Sequence, residues 1–151
     1  MAAPWPKNSL QKEKEIIKLT KSILFDSYAI LKYYQDEEGA DKVEKLLISS
    51  RREALSAYIS EINLGEVYYQ TIRRLGLESA KKYLEQFSEL PIRVIPPSSD
   101  IILSASEIKA EYAISYADCF AVATAIMFDA SILTGDPEFT KIEHLVKIVW
   151  I

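Results

Sequence analysis

The sequence predicts an α/β fold, a single three-layer sandwich with helices on both faces of a parallel sheet. Short runs of β-favouring residues alternate along the chain with longer segments of helical periodicity. Such alternation predicts βαβ units, in which successive strands run parallel and the connecting helices cover the sheet. With 151 residues, 49% of them apolar, the chain has enough material for one domain with a substantial core.

Five short segments are predicted to be strands because they are rich in β-branched and other apolar residues and are bounded by polar or turn-forming residues. In chain order they are Ile23–Phe25, Ala57–Ile59, Ile92–Ile95, Ser131–Leu133 and Val146–Trp150.

Six longer segments have apolar residues at helical spacing and are predicted to be helices. They are Tyr28–Gln35, Gly39–Ser49, Glu61–Leu75, Glu78–Leu90, Asp100–Tyr112 and Tyr116–Phe128. The pair Pro96-Pro97 separates the third strand from the helix that follows it.

Residues 1–21 are predicted to be a leader or extension of unknown role, outside a domain that spans residues 22–151. This leader contains Trp5, two prolines and a stretch rich in Lys and Glu, and it lacks the uninterrupted apolar core of a signal peptide. No apolar run in the chain approaches the roughly 18 residues needed to cross a bilayer. We therefore expect a cytoplasmic protein.

Two acidic residues stand at the carboxyl ends of predicted strands. Asp26 follows the first strand directly, and Asp136 follows the fourth strand after Thr134-Gly135. Ligands of open α/β sheets bind beyond the carboxyl ends of the strands. We expect both carboxylates at this edge.

Asp118 is the only charged residue in the predicted helix Tyr116–Phe128. A helix that is apolar on all sides is a buried helix. An isolated carboxylate rarely enters a core without a partner, but near the start of the helix Asp118 can reach the carboxyl edge of the sheet.

Glu66 lies in the helix after the second strand. Leu64, Tyr68, Ile72 and Leu75 are predicted to form the core stripe of this helix, with Glu66 on the opposite side. Gly65 is unfavourable in a helix interior by about 1 kcal/mol relative to Ala, and close approach of another backbone beside Glu66 would explain it.

These four acids suit the chemistry of a divalent cation. Mg²⁺ and Mn²⁺ prefer hard oxygen ligands, and Mg²⁺ keeps several of its waters, so a few carboxylates can hold it. Bound ions can supply a nucleophilic water, orient a phosphate and offset developing charge during phosphodiester cleavage. Asp26, Asp118 and Asp136 are predicted to hold the cation, and Glu66 to ligate it or orient water.

Each acid also has a purely structural interpretation. Asp26 and Asp136 can cap helices, since Pro137 after Asp136 favours the first helical position. Ser115 and Asp118 have the spacing of a capping box, and Glu66 can face solvent beside Gln70 or Arg73. A shared site is dismissed only if all of these structural interpretations are correct at the same time.

The remaining composition excludes several classes of site. A net charge of −4 argues against a general nucleic-acid-binding surface, but not against a nuclease whose acids surround metal ions. His144 is the only histidine, which excludes a histidine-based triad or a multi-histidine zinc site. The single Cys119 cannot form an internal disulfide, and we expect a buried thiol.

Four segments in order resemble the signature segments of PIN domains, most closely the VapC-type toxins of type II toxin–antitoxin systems. They are Ile23-Leu24-Phe25-Asp26-Ser27, Ile62-Asn63-Leu64-Gly65-Glu66-Val67-Tyr68-Tyr69, Tyr116-Ala117-Asp118-Cys119-Phe120-Ala121-Val122-Ala123-Thr124-Ala125 and Leu133-Thr134-Gly135-Asp136-Pro137-Glu138-Phe139. The resemblance runs from about Lys21 to Ile151.

This resemblance implies a five-stranded parallel sheet and a Mg²⁺- or Mn²⁺-dependent endoribonuclease. The four acids match the acidic positions of the family, and Thr134 matches a frequent Ser or Thr that orients water or a ligand. Family members often form homodimers and are silenced by a cognate VapB-type antitoxin that inserts a segment into the cleft. Tyr28 departs from the pattern, because a small polar residue is frequent at that position, and the leader has no counterpart.

Some residues near the acids are predicted to contact an RNA substrate. Ser27 is adjacent to Asp26, and Arg73 lies two helical turns beyond Glu66 on the same face. A solvated helix end is the alternative for Arg73. Several tyrosines can either stack on RNA bases or, as their helical spacing favours, pack in the core or an interface: Tyr28, Tyr33, Tyr34, Tyr68 and Tyr69.

Two other functions compete with the nuclease prediction. One is a catalytically inactive PIN-fold module that binds RNA or acts as a scaffold, and the complete set of acids argues against it. The other is a phosphoacceptor receiver domain. Such a domain would have an acceptor Asp after the third strand, where this chain has Ile95-Pro96-Pro97.

Overall fold

The computed structural model describes residues 11, 14, 15 and 20–151. Most of the predicted leader, residues 1–21, therefore lies outside the described residues, and its boundary with the domain stays a prediction. In the described part of the chain, no helix combines the length and the apolar character needed to span a membrane.

A parallel sheet forms the centre of the molecule, and within the described residues it has five strands. In chain order these are β1 (Ser22–Phe25), β2 (Ser56–Ser60), β3 (Arg93–Ile95), β4 (Ser131–Thr134) and β5 (Ile148–Trp150). The spatial order is β3-β2-β1-β4-β5, and every neighbouring pair is parallel. The predicted sheet is confirmed.

Helices connect the strands along the described chain. They are α1 (Ser27–Tyr34), α2 (Ala40–Arg51), α3 (Glu61–Leu75), α4 (Leu77–Ser88), α5 (Ser99–Glu111) and α6 (Tyr116–Met127). A short 3₁₀ helix, Pro137–Ile142, follows β4 and was not among the predicted elements. The predicted α/β class and three-layer arrangement are confirmed.

The two faces of the sheet bury different side chains because successive residues of a strand point to opposite sides. In β1, Leu24 belongs to one hydrophobic cluster, whereas Ile23 and Phe25 belong to the other. Its neighbour β4 follows the same rule, with Ile132 in the first cluster and Leu133 in the second. Both strands are central in the sheet, which explains why β4 is buried along its whole length.

Helix α6 is the buried helix that its composition predicts. Residues 119–125 are all buried, and Cys119 is a free, buried thiol as expected. The helix packs into the cluster that includes Leu24 and Ile132. Only its first turn, with Asp118, is free to approach the edge of the sheet.

The predicted core stripe of α3 is wrong. The buried residues are Asn63, Val67 and Thr71, whereas Leu75 is 48% exposed. The large apolar residues Leu64 and Tyr68 are half-buried and line a small cavity against α4, together with Val67 and Thr71, and Leu64 also packs against the second hydrophobic cluster. Helix α3 is covered from two directions, so its most apolar stripe does not identify the side that faces the sheet.

The expected close approach at Gly65 is also absent. A Cβ atom added at Gly65 would meet no atom within 4 Å among the described residues. The glycine lies on the exposed side of α3. No contact to another backbone explains its presence there.

Candidate active site

Asp26 lies at the carboxyl end of β1 and is almost completely buried, with 2% of its surface exposed. Its Oδ1 accepts a hydrogen bond of 3.0 Å from the backbone N–H of Ala29. Its Oδ2 accepts a hydrogen bond of 2.7 Å from the hydroxyl of Thr134. Asp26 therefore caps helix α1, as its structural interpretation suggested, and it is also joined to the neighbouring strand β4.

Burial raises the pKa of the Asp26 carboxyl from 3.8 to about 7. The hydrogen bonds from Thr134 and Ala29 favour the charged form and oppose this increase. The negative charges of Asp118 and Asp136 add to it, so these three carboxylates lie near enough to repel one another. A cation placed among them would relieve this repulsion.

Thr134 links two of the predicted site residues. Its side chain is fully buried, and its hydroxyl donates to Asp26 while accepting a hydrogen bond of 3.0 Å from the backbone N–H of Asp136. Asp136 in turn caps the 3₁₀ helix, where its Oδ1 accepts from the N–H of Glu138 at 2.9 Å. One hydroxyl thus fixes the end of β4 against the end of β1.

Asp118 is half-buried in the first turn of α6. Its backbone N–H donates to the hydroxyl of Ser115, the N-cap residue, over 3.1 Å. Burial raises the pKa of its carboxyl from 3.8 to about 6, and the charges of Asp136 and Glu66 contribute to the increase. The side chain and the backbone of Ser115 also hydrogen-bond to the Asp118 carboxyl and oppose this increase. The capping-box interpretation is therefore confirmed, and the same carboxyl interacts with the charges of Asp136 and Glu66.

Glu66 is half-buried on α3 and accepts a hydrogen bond from the hydroxyl of Ser27 through Oε1. Ser27 is the first residue of α1 and is itself buried. This bond joins α3 to the start of α1, next to Asp26. Glu66 is therefore held by a neighbouring helix, in addition to any contact along its own helix.

An open cavity of about 350 Å³ lies where these elements meet. Asp26 is not part of its wall and stands behind it. The cavity is lined by Ser27, Tyr28, Leu31, Glu66, Gln70, Ser115, Asp118, Asp136 and Glu138.

Two residues of the cavity wall were not predicted from the sequence. Gln70 lies one helical turn after Glu66, and the spacing of four residues places both on one side of α3. Glu138 follows Asp136 by two residues and forms an ion pair of 2.7 Å with Lys141. Helical spacing was the signal for Gln70, whereas the 3₁₀ helix that carries Glu138 was not predicted.

Tyr28 forms one wall of the cavity and packs closely against Gly135. A Cβ atom at Gly135 would lie 2.5 Å from Cε1 of Tyr28 and 2.8 Å from the carbonyl oxygen of Ile151. The glycine between Thr134 and Asp136 therefore makes room for the ring. The large residue that departs from the family pattern is accommodated beside the acids.

Arg73 lies outside the cavity wall. Its side chain is exposed, and its guanidinium carbon is 5.1 Å from the ring centroid of Tyr69. The predicted contact of Arg73 with a substrate stays a prediction.

The acids that line the cavity are the side chains that could hold a divalent cation. Among the described residues, no three acidic, histidine or cysteine side chains are grouped tightly enough to enclose an ion directly. Glu66, Asp118 and Asp136 nevertheless face one cavity, and Asp118 is electrostatically coupled to the other two. Carboxylate oxygens are hard ligands of the kind that divalent cations accept, so the chemistry of these side chains fits such an ion.

A family model for the PIN domain matches residues 23–145. The chain belongs to the PIN domain family. All four predicted acids lie inside the matched PIN region, which begins in β1 and ends before β5. No curated protein matches this PIN chain significantly.

Solved structures share the fold of this PIN domain. DNA-bound VapBC from Salmonella typhimurium has a TM-score of 0.67 at 20% identity, over 85% of this chain and 96% of that chain. VapBC2 from Rickettsia felis, bound to a promoter DNA fragment, has a TM-score of 0.65 at 18% identity, over 83% and 96%. VapC20 from Mycobacterium tuberculosis, a sarcin-ricin loop cleaving toxin, has a TM-score of 0.63 at 17% identity, over 78% and 92%.

Proposed function

We propose that this PIN domain is a metal-dependent endoribonuclease that hydrolyses RNA phosphodiester bonds. The observation that carries the proposal is the cavity at the carboxyl edge of the sheet, where Glu66, Asp118 and Asp136 meet in front of buried Asp26. Burial and mutual repulsion raise the pKa values of Asp26 and Asp118. A group of carboxylates held in this state is suited to a divalent cation.

Asp118 and Asp136, with Asp26 behind them, are the residues that would hold Mg²⁺ or Mn²⁺. When bound, such an ion supplies an activated water and stabilises the charge that develops on the phosphate. Thr134 keeps the carboxylate of Asp26 in place and positions the backbone of Asp136. The two strand-end acids therefore keep a fixed separation.

Glu66 is the residue best placed to orient water. Its Oε1 accepts from Ser27, which leaves the second carboxylate oxygen to accept a hydrogen bond from a water in the cavity. We assign Ser27 to holding Glu66 in addition to its predicted contact with substrate. Arg73 is retained as a predicted phosphate contact on the neighbouring surface.

We further propose that the chain is the toxin of a toxin–antitoxin pair. The support is the shared fold with VapBC complexes and with a VapC protein that is described as a sarcin-ricin loop cleaving toxin. The proposal implies a cognate antitoxin partner, a homodimeric assembly and action in the cytoplasm. Co-expression with the product of a short neighbouring gene, followed by co-purification, tests the antitoxin partner.

The central experiment measures cleavage of several RNAs by the wild-type chain with Mg²⁺, with Mn²⁺ and with EDTA. We expect cleavage that requires a cation and falls by at least about 100-fold in Asp118→Asn and in Asp136→Asn, because loss of a ligand or water-positioning group removes transition-state stabilisation.

Asp129→Asn is the matched control. This exposed Asp lies just beyond the other end of α6 and has a positive φ of 49°, a conformation that Asn tolerates as well as Asp. The Asp129→Asn variant makes the same change of charge away from the cavity and should cleave at the wild-type rate.

Equal metal-dependent rates for wild type and Asp118→Asn would refute the assignment. Metal binding without cleavage of any RNA would favour the inactive RNA-binding or scaffold module instead.

A further inference from the structure

Tyr69 is an aromatic side chain that the fold leaves partly exposed. It is 44% exposed, whereas its neighbour Tyr68 is half-buried and lines the small cavity against α4. Arg73, four residues further along α3, places its guanidinium 5.1 Å from the centre of the Tyr69 ring. An exposed aromatic ring with a cation on it has both components that bind a nucleotide, a surface for the base and a charge for the phosphate.

This pair lies further along α3 than the cavity wall, on the side of the helix that carries Glu66. At about 100° per residue, Arg73 lies about 20° around the helix from Glu66, and Tyr69 lies about 60° from it on the same side. Gln70, on the other side of Glu66, is part of the cavity wall. Around α3, Gln70 and Glu66 in the cavity wall are therefore followed by Arg73 and Tyr69. Along the helix axis, Tyr69 lies about 4.5 Å and Arg73 about 10.5 Å beyond Glu66.

Gly65 leaves space for a base beside the ring. Side chains on a helix lean toward its N-terminus and cover the preceding turn, so the ring of Tyr69 leans toward Gly65. A Cβ atom at Gly65 would meet nothing within 4 Å. The guanidinium of Arg73, one turn later, lies over the ring, and no atom fills the space at Gly65, one turn earlier.

We propose that Tyr69 and Arg73 form a nucleotide-binding site, in which an unpaired RNA base stacks on Tyr69 and Arg73 contacts an adjacent phosphate. This inference rests on the proposed function and adds a contact for one nucleotide of the RNA, on α3 beyond the cavity wall. A base in a duplex is stacked and paired, so it cannot occupy the ring. The strand that enters the cavity is thereby held by a nucleotide beyond the scissile bond.

The test measures binding and not cleavage. Asp118→Asn serves as the parent protein, and fluorescence anisotropy follows its binding to a short labelled single-stranded RNA. Adding Tyr69→Leu, which keeps an apolar side chain without a π face, should weaken binding about tenfold, and adding Tyr69→Phe should leave binding like that of the parent. An RNA with abasic positions should bind the parent and the Tyr69→Leu variant equally, because it has no base to stack.

The phosphate contact is tested separately by salt dependence. Arg73→Gln should reduce the slope of log affinity against log salt concentration by about 0.7, the value expected for one phosphate contact on a single strand. Arg93→Gln is the matched control, because Arg93 also lies over an aromatic ring, that of Phe128 at 5.8 Å, but at the start of β3. Arg93→Gln should leave both the affinity and the slope unchanged.

Two results would overturn the inference. One is the absence of RNA binding, and the other is a Tyr69→Leu variant that binds intact and abasic single strands as the parent does. Cleavage by the wild-type chain reports separately on the proposed function. Cleavage with an unaffected Tyr69→Leu variant refutes only the base-stacking site, whereas a Tyr69-dependent affinity without cleavage refutes only the nuclease.

Discussion

At the scale of single residues, the buried carboxyl of Asp26 makes the stability of the protein depend on pH. Its pKa is about 7 in the folded chain against 3.8 as the ordinary value, so the folded state binds more protons than the unfolded state between these values. The free energy of unfolding therefore decreases as pH rises from about 4 to 7 through this group. Asp118, with a pKa of about 6, acts in the same direction.

We predict that Asp26→Asn removes the contribution of this carboxyl. In denaturant unfolding with EDTA, the Asp26→Asn variant should gain stability relative to wild type as pH rises from 4.5 to 7.5. The gain should be on the order of 3 kcal/mol, since one pKa unit corresponds to about 1.36 kcal/mol and most of this pH range lies between the two pKa values. The difference should level off at higher pH. A constant difference across this range would show that Asp26 is ionised throughout and that its burial does not raise its pKa.

Two glycines permit a second prediction at this scale. Gly135→Ala should destabilise the protein by about 1–3 kcal/mol, because the new Cβ would meet the Tyr28 ring and the Ile151 carbonyl oxygen at less than 3 Å. Gly65→Ala should stabilise it by about 0.5–1 kcal/mol, because the site is open and Ala is the better helix former. Unfolding free energies from denaturant titrations compare the two, and changes of the same sign would contradict the structure.

The sequence predicted which acids would lie at the carboxyl edge of the sheet better than it predicted the contacts around them, and their roles stay predictions. Asp26 and Asp136 were recognisable because they follow strands, and Asp118 because it is the only charge in an apolar helix. The hydrogen bond from Ser27 to Glu66 joins residues 39 positions apart, and no local pattern indicates such a contact. The position of Asp26 behind the cavity wall could not be predicted from the sequence either, because it depends on how α1 packs against β4.

At the scale of elements, helix α3 is tied to the first turn of α6 by Asn63. This side chain is fully buried, and its Nδ2 donates to the carbonyl oxygen of Ala117 over 3.2 Å. Its Oδ1 is buried without a hydrogen-bond partner among the described residues. Ala117 precedes Asp118, and Asn63 precedes Glu66 by one helical turn, so this bond sets the spacing of two acids.

We predict that Asn63→Leu weakens cation binding more than it weakens the fold. The unfolding free energy in EDTA should change by no more than about 1 kcal/mol, because the lost hydrogen bond is offset by removal of the unpartnered Oδ1. The Mn²⁺ concentration that gives half of the maximal thermal stabilisation should rise about tenfold, as for other residues that orient ligands indirectly.

Thr71→Val is the control for this prediction. Thr71 is buried on the same side of α3, but its hydroxyl donates only within the helix, to the carbonyl oxygen of Val67 at 2.7 Å. The Mn²⁺ concentration that gives half of the maximal thermal stabilisation should be the same for the Thr71→Val variant as for the wild type. An unchanged Mn²⁺ requirement in Asn63→Leu would show that the contact between α3 and α6 has no part in positioning the acids.

The positions of the strands and helices in the sequence were largely predictable, but the buried side of helix α3 was not. Each predicted strand and helix overlaps an observed one, and helix α3 has the predicted bounds. The predicted buried side of α3 was wrong because this helix packs against more than one neighbour. The buried residues Val67 and Thr71 line the cavity against α4 together with the half-buried Leu64 and Tyr68. The packing against α4 therefore involves more of the helix than its most apolar stripe.

At the scale of the whole molecule, strand order was the feature that the sequence left open. A parallel sheet follows from alternating strands and helices, but the position of β1 between β2 and β4 depends on pairings far apart in the chain. This order is what places Asp26 and Asp136 on adjacent strands. The acidic site is therefore a consequence of topology, and the local motifs alone do not create it.

Because the acids come from separate elements, a bound cation should stabilise the entire fold. Thermal unfolding in EDTA and in saturating Mn²⁺ measures this effect. At about 100 times the dissociation constant the cation adds about 2.7 kcal/mol to the free energy of unfolding, or on the order of 5–10 °C to the unfolding temperature for a chain of this size.

The double variant Asp118→Asn/Asp136→Asn should unfold at a higher temperature than wild type in EDTA, because repulsion is reduced, and should not respond to Mn²⁺. The control Asp36→Asn/Asp129→Asn removes two exposed charges at positive-φ positions and should respond as wild type does. A cation response that survives in the first double variant, or one lost in the second, would place the bound ion elsewhere on the molecule.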